Sequence, residues 1–221
     1  MEEADLHDYV ERYERRLRQF GYSSETLGWG KKGRQDVRFQ VLAQYALHMP
    51  ECSVLDVGCG FADLYDFLLR HGWHGQYTGT DIVPGLLKVA RERHPHLDLR
   101  ENDLTSNAAS LSVYDFVMAS GVLNARLKSG NNKEHVRDML NAMHRHARVA
   151  VCVDFLSTYV EFQEPRNWHT DPGWVFGVAR QVSRRVLLRH DYMPYEFALF
   201  IFVDDSVSPH KIFHAFEYTL P

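Results

Sequence analysis

Between Leu6 and Phe20 the apolar residues Leu6, Tyr9, Val10, Tyr13, Leu17 and Phe20 recur at steps of three and four, with charged residues between them. One apolar stripe on a 3.6-residue repeat predicts an amphipathic helix that ends at Gly21 and carries a tyrosine pair on its inward side. A loop rich in glycine and polar residues, 22–33, follows, and a second helical pattern runs from about Gln35 to Leu47 and stops at Pro50. Residues 1–50 therefore read as a helical lid or annex to a core formed by 51–221, the whole being one structural domain.

From Ser53 short apolar runs bounded by Gly and Asp alternate with helical patterns, which predicts a parallel sheet flanked by helices. The strand candidates are SVLDVG, QYTGTD, LDLRE, YDFVMAS and RVAVCVDFL; the helix candidates are Ala62 to His71, Pro84 to His94 and Lys133 to His146. Two closing runs, SRRVLLRH and FALFIFV, are separated by DYMPYE, too short for a helical crossover and therefore the turn of an antiparallel hairpin. The fold class is α/β.

Composition narrows the function. With 221 residues, 45% hydrophobic, the chain buries a sizeable core without disulfides or a structural metal. A net charge of −4 supplies no bulk field for a phosphate backbone, so nucleic acid is not an expected partner. Three cysteines without metal-ligand spacing, and no apolar signal core near Met1, fit a cytoplasmic setting. No apolar run approaches the ~20 residues that cross a bilayer. The close pairs His71/His74, His94/His96 and His144/His146 sit at helix ends among charges and read as surface histidines, so no metal is expected.

The sharpest motif is VLDVGCGFADL, Val54 to Leu64, where an apolar strand runs into Gly58-Cys59-Gly60 and then into a helix. Glycines there allow a tight turn and close approach of a ligand to the backbone. Read as a dinucleotide fingerprint, the third glycine falls on Asp63, whose carboxylate opposes a pyrophosphate. Asp81 ends the second strand 23 residues after Gly58, where a carboxylate accepts the two hydroxyls of a nucleoside ribose.

With these residues the sequence resembles the class I S-adenosylmethionine-dependent methyltransferases, over about Arg38 to Val203. Asp56, Gly58 and Gly60 match the first motif, with Ala62 in place of a third glycine, a small departure that mildly tightens the turn. The resemblance implies a Rossmann-like seven-stranded mixed sheet with helices on both faces, an antiparallel C-terminal hairpin and an N-terminal helical lid. It implies that Asp56 serves the methionine moiety, Asp81 the ribose, Ile82 the adenine face, and Asp103 and Leu104 the adenine edge. Backbone carbonyls around Ser120, after the fourth strand, would meet the ammonium, and Arg38 the carboxylate.

Methyl transfer needs collinear placement in a dry site more than it needs proton chemistry. Residues that follow the fourth and fifth strands, or lie on the first helix and the hairpin, are the acceptor candidates: Tyr9, Tyr13, Trp29, Asn124, Arg166, Trp168, Tyr192 and Tyr195, with Glu196 beside them. His169, Tyr159 and Asp154 are the candidates for proton transfer, His169 first because its ordinary pKa lies near neutrality. The strand end Ala119-Ser120-Gly121 lacks the aspartate of metal-dependent catechol-type members and the Asn/Asp-Pro-Pro pattern of members that methylate base amines. The expectation is a metal-independent transfer to a small-molecule O, N or S nucleophile. Alternatives are a non-catalytic S-adenosylmethionine-binding regulator or partner subunit, then an NAD-dependent reductase.

Overall fold

In the computed structural model, which describes residues 1–28, 34–106 and 111–217, every apolar run bounded by Gly or Asp is a strand. They are β1 (Val54–Val57), β2 (Tyr77–Asp81), β3 (Asp98–Glu101), β4 (Tyr114–Ala119), β5 (Ala147–Leu156), β6 (Val186–Met193) and β7 (Glu196–Phe202). They form one sheet in the order β3-β2-β1-β4-β5-β7-β6. The first five run parallel, and β7 lies antiparallel between β5 and β6. Only Pro194 and Tyr195 separate the last two strands, so the hairpin is tighter than the DYMPYE spacing implied.

Helices α3 (Asp63–Arg70), α4 (Pro84–Arg93) and α5 (Asn132–Arg145) provide crossovers, and Pro84 starts its helix, where a missing N–H costs nothing. The period-2 alternation of the strands divides the interior into two cores. Val54, Cys152 and Phe200 face one side with Leu64 and Phe67 of α3 and Leu87 and Ala90 of α4. Leu55, Val151, Val153 and Ile201 face the other with Val136, Leu140 and Met143 of α5.

Helix α1 (Glu3–Phe20) ends at Gly21 as its stripe predicted, and its Tyr9, Val10, Tyr13 and Leu17 pack against Phe61, Val83 and Leu86. Carboxylates along it fix it to the body. Asp5 accepts from the Lys128 and Ser129 amides (2.8 and 3.2 Å) and the Ser129 hydroxyl (2.6 Å), and Glu14 accepts from the Gly85 amide (2.8 Å). Helix α2 (Arg34–Leu42) is shorter than its pattern; the chain turns at Ala43 and makes a 3₁₀ turn at Ala46–His48. Phe39, Val41, Leu42, Ala43 and Ala46 are buried in the first core.

Two features depart from the sequence pattern. Helix α6 (Pro172–Val182) is not among the predicted elements, and its Val175, Val178 and Ala179 complete the second core. Asp171 caps it by accepting from the Trp174 amide (2.6 Å). His146, read as a surface residue, is buried, and its Nδ1 lies 3.0 Å from the Ser112 carbonyl at the end of α5. A short helix, α7 (His214–Glu217), follows the sheet. Among the described residues no helix is long and apolar enough to cross a membrane.

Phe200 is fully buried and meets Tyr45 edge to face at 5.5 Å, whereas Leu187 on the edge strand is half-exposed. Phe200→Ala is expected to lower unfolding free energy by about 3–5 kcal/mol in urea titration, and Leu187→Ala by less than about 1 kcal/mol. Equal losses would contradict the placement of β7 inside the sheet.

Candidate functional site

At the end of β1 the backbone turns through Gly58 (φ +71°) and Gly60 (φ +55°). A Cβ on Gly58 would lie 2.3 Å from Val122 Cγ2, so glycine alone permits this turn beside the 3₁₀ segment Val122–Asn124. The amides of Gly58 and Cys59 donate to the Thr80 carbonyl (2.7 and 2.9 Å). One oxygen of Asp81 accepts from the Gly60 amide (2.8 Å) and the other from the Val83 amide (2.9 Å), so a single carboxylate joins the β1–α3 turn to the β2–α4 turn. Ala62 takes a left-handed conformation, φ +61°, at a cost of about 1–2 kcal/mol. The departure from glycine therefore strains the backbone, which is more than a mild tightening.

These turns form the floor of a cavity of about 480 Å³, within the range that holds small molecules. Asp56, Gly58, Gly60, Asp81, Ile82, Asp103, Leu104 and Ser120 line it, as do Arg38 from α2, Tyr9 and Tyr13 from α1, Asn124, and Arg166. The tyrosine rings pack on each other at 4.8 Å, and burial raises the pKa of both hydroxyls.

Several of these side chains are already engaged. Asp56 accepts from the Tyr77 hydroxyl (2.6 Å). Asp103 closes its own turn, accepting from the Thr105 amide (2.9 Å) and from the Thr105 and Ser106 hydroxyls (2.7 and 2.9 Å). Arg38 forms a buried two-point pair with Glu196, which reaches it because Glu196 on β7 points to the α2 side of the sheet. Asn124 holds the Leu156 amide (2.9 Å).

Other candidates lie away from the cavity wall. Asp154 is buried behind it, accepting from the Ser120 hydroxyl (2.6 Å) and the Gly121 amide (2.7 Å), and so fixes the loop after β4. Tyr159 is 63% exposed and stacks on His190, and Tyr195 is 51% exposed. Tyr192 points toward the Arg38–Glu196–Asp154 cluster, and burial raises its pKa. Trp168 lies beneath Arg126, and His169 is held below its ordinary pKa by burial and by Arg126. None of these six lines the cavity. Trp29 lies outside the described residues.

The cavity also has members that no motif marked. Asn102 lines it, and neither of its side-chain amide atoms has a partner among the described residues. His135 from α5 is buried in the wall, and burial lowers its pKa. Arg12, Arg15 and Arg16 reach it from α1. Asn102 stands immediately before Asp103, so its neighbourhood was legible; the arginines lay on what reads as the solvent face of a helix.

Burial pushes Asp56 up to about 7 against the pull of Tyr77, and burial pushes Asp154 up to about 6 against Arg38. An acid raised on folding keeps its proton in the folded chain after the unfolded chain has lost it. Its stabilising contribution is complete below the ordinary carboxylate value and is lost as pH rises through the folded value. Asp56→Asn keeps an acceptor for Tyr77 and removes the titration. Measured by urea unfolding, the variant should gain on the native chain between pH about 4 and about 7, by about 1.4 kcal/mol for each tenfold fall in proton concentration. A difference that stays flat with pH would exclude a raised Asp56.

Comparison with known proteins places this geometry. Residues 54–157 match the family described as Methyltransferase domain. A protein of Mycobacterium tuberculosis, Rv1506c, whose name calls it a methyltransferase by inference, is 34% identical over 158 residues, spanning 67% of this chain and 92% of its own. Magnesium protoporphyrin IX methyltransferase from Synechocystis, solved with bound S-adenosylhomocysteine, superposes with a TM-score of 0.64 at 15% identity, covering 90% of this chain and 99% of that one. A TehB-like S-adenosylmethionine-dependent methyltransferase from Corynebacterium glutamicum gives 0.55 at 21%, covering 91% and 98%. The strand order, the glycine turn on Asp81 and the 34% relative lead to one conclusion: the chain belongs to the class I S-adenosylmethionine-dependent methyltransferase family.

Proposed function

We propose that the chain binds S-adenosylmethionine on the Gly58–Asp81 floor and transfers its methyl group to a small-molecule nucleophile held in the outer half of the same cavity, without a metal. The observation that carries this reading is the side chain of Asn102, a buried amide with a donor and an acceptor both unused, facing a cavity whose floor excludes a Cβ at Gly58. An amide of that kind complements the edge of adenine, and an unpaired buried polar pair costs about 1–3 kcal/mol per group until something fills it.

The residues fit the cofactor in a specific way. Asp81 is pre-positioned by two backbone donors, and each of its oxygens keeps a lone pair for a ribose hydroxyl. Asp103 is committed to its turn, so the adenine edge falls to Asn102, with Leu104 and Ile82 against the ring. Asp56 offers a carboxyl group to the methionine end. Arg38, tied to Glu196, contributes to the wall chiefly as one half of a rigid pair. When bound, the cofactor supplies a methyl carbon already activated by positive sulfur.

The protein's part in the transfer is orientation and exclusion of water. Helix α1 covers the cavity through Tyr9 and Tyr13, and Asp154 acts as a positioning residue by fixing Ser120 and Gly121. With Tyr159 and His169 off the wall, proton removal is not assigned to them, and the acceptors favoured are those that present a nucleophile already deprotonated at neutral pH.

Calorimetric titration with S-adenosylhomocysteine tests the assignment. The native chain is expected to bind in the micromolar range, Asp81→Asn about tenfold or more weakly, and Asn102→Ala about three- to tenfold more weakly. Absence of heat with the native chain would overturn the reading, and undiminished binding by Asn102→Ala would remove its carrying observation.

A further inference from the structure

Besides Arg38, four arginines line the cavity: Arg12, Arg15 and Arg16 on α1, and Arg166 in the segment that follows β5. This is a local reversal of the chain's net charge of −4. Four acids share the lining: Asp56, Asp81 and Asp103, held on the floor, and Glu164, two positions before Arg166; among the described residues none of them is within ion-pair distance of any of these four arginines. Arg16 spends its donors on the carbonyls of Thr26 (2.8 Å) and Glu25, which hold the guanidinium in place but leave its charge uncompensated. Arg12 faces Asp8 at 3.7 Å, and Asp8 is shared with Lys128 at 2.5 Å. Arg15 acts on the same Asp8 from beyond ion-pair distance, and among the described residues Arg166 meets no carboxylate within that distance.

The two sides of this rim are fixed relative to each other. The Arg126 amide donates to the Arg166 carbonyl (3.1 Å) and the Trp168 amide to the Asn124 carbonyl (2.9 Å), so the segment carrying Arg166 is laced to the loop after β4. That loop continues to Lys128 and Ser129, whose amides are held by Asp5 of α1. Of these rim charges Arg12 is ion-paired, while Arg15, Arg16 and Arg166 have no carboxylate within ion-pair distance among the described residues, an arrangement that lowers the energy of a bound anion and raises that of a cation.

We propose that the methyl acceptor is an anion, a small molecule whose carboxylate or phosphate is engaged by Arg15 and Arg166. The inference rests on the methyltransferase reading above and names the substrate class of that site. A cofactor with a positive sulfonium beside a positive rim repels a cationic acceptor, and an anionic one compensates both. In the transfer, a lone pair on the acceptor atom forms the bond to the methyl carbon while the carbon–sulfur bond breaks and its pair stays on sulfur. Sulfur loses its positive charge and the acceptor becomes one unit less negative.

The test uses the native chain saturated with S-adenosylhomocysteine, titrated calorimetrically with benzoate, phenyl phosphate and benzamide as carboxylate, phosphate and neutral probes. At least one anion is expected to bind about tenfold or more tightly than benzamide, and the tighter of the two identifies the headgroup. The Arg15→Gln/Arg166→Gln variant should reduce that preference to under about threefold while holding S-adenosylhomocysteine affinity within about twofold. Both arginines are solvent-exposed, so the variant should melt with the native chain. Equal binding of benzamide, no anion binding, or a preference that survives in the variant would overturn the proposal. A parallel loss of S-adenosylhomocysteine affinity in the variant would also overturn it, by assigning the rim to the cofactor's own carboxylate. If S-adenosylhomocysteine fails to bind the native chain, it is the methyltransferase reading that falls.

Discussion

Asp81 accepts an amide from each of two neighbouring strand-to-helix turns, and among the described residues no other side chain on the cavity floor joins them. Burial raises its pKa, and the backbone donors at Val83 and Gly60 act against that rise without a counter-ion. Its remaining lone pairs are left to a ligand. The left-handed glycines and the strained Ala62 lie in the first of these turns, and Val122 closes on it from the segment after β4.

A second polar system stands behind the first. Strand alternation sends Asp154 and Glu196 to the same face of the sheet, where Arg38 of α2 meets Glu196 and lies close enough to pull on Asp154. Breaking a buried pair of this kind by removing one partner leaves an uncompensated charge, which costs far more than the pair contributes. The pair therefore fixes α2 against the C-terminal hairpin, and through Asp154 it fixes the loop that carries Ser120 and Gly121.

The sheet was readable because its strands are nearly all apolar and end in Gly or Asp, a pattern that buried parallel strands impose. The floor was readable because close approach of backbone to ligand demands small residues at fixed spacing, and Gly58, Gly60 and Asp81 stand at that spacing. The walls were less so. Tyr159, Trp168 and His169 share a stretch dense in polar and aromatic groups, but a loop's composition does not say which of its residues reach the cavity, and it was Glu164, Arg166 and Asn167 that did. Helix α6 carried a legible start, Asp171 followed by Pro172, that the aromatic density of its neighbours obscured. Asn102 and His135 had no pattern to reveal them, since a lone amide or imidazole acquires meaning only from what the fold places opposite it.

The contacts that hold α1 and α2 have a consequence for how the chain is made. Asp5 finds its partners 123 and 124 positions along the chain, and Arg38 finds Glu196 158 positions along. Synthesis proceeds from the N-terminus, so α1 emerges before Phe61, Val83 and Leu86, which cover its apolar stripe, and before Lys128 and Ser129, while Arg38 of α2 waits for Glu196 until the hairpin has left the ribosome. The parts of the molecule that enclose the ligand are thus translated early and docked late, and in that interval they depend on the dense charges of their outward faces to stay in solution.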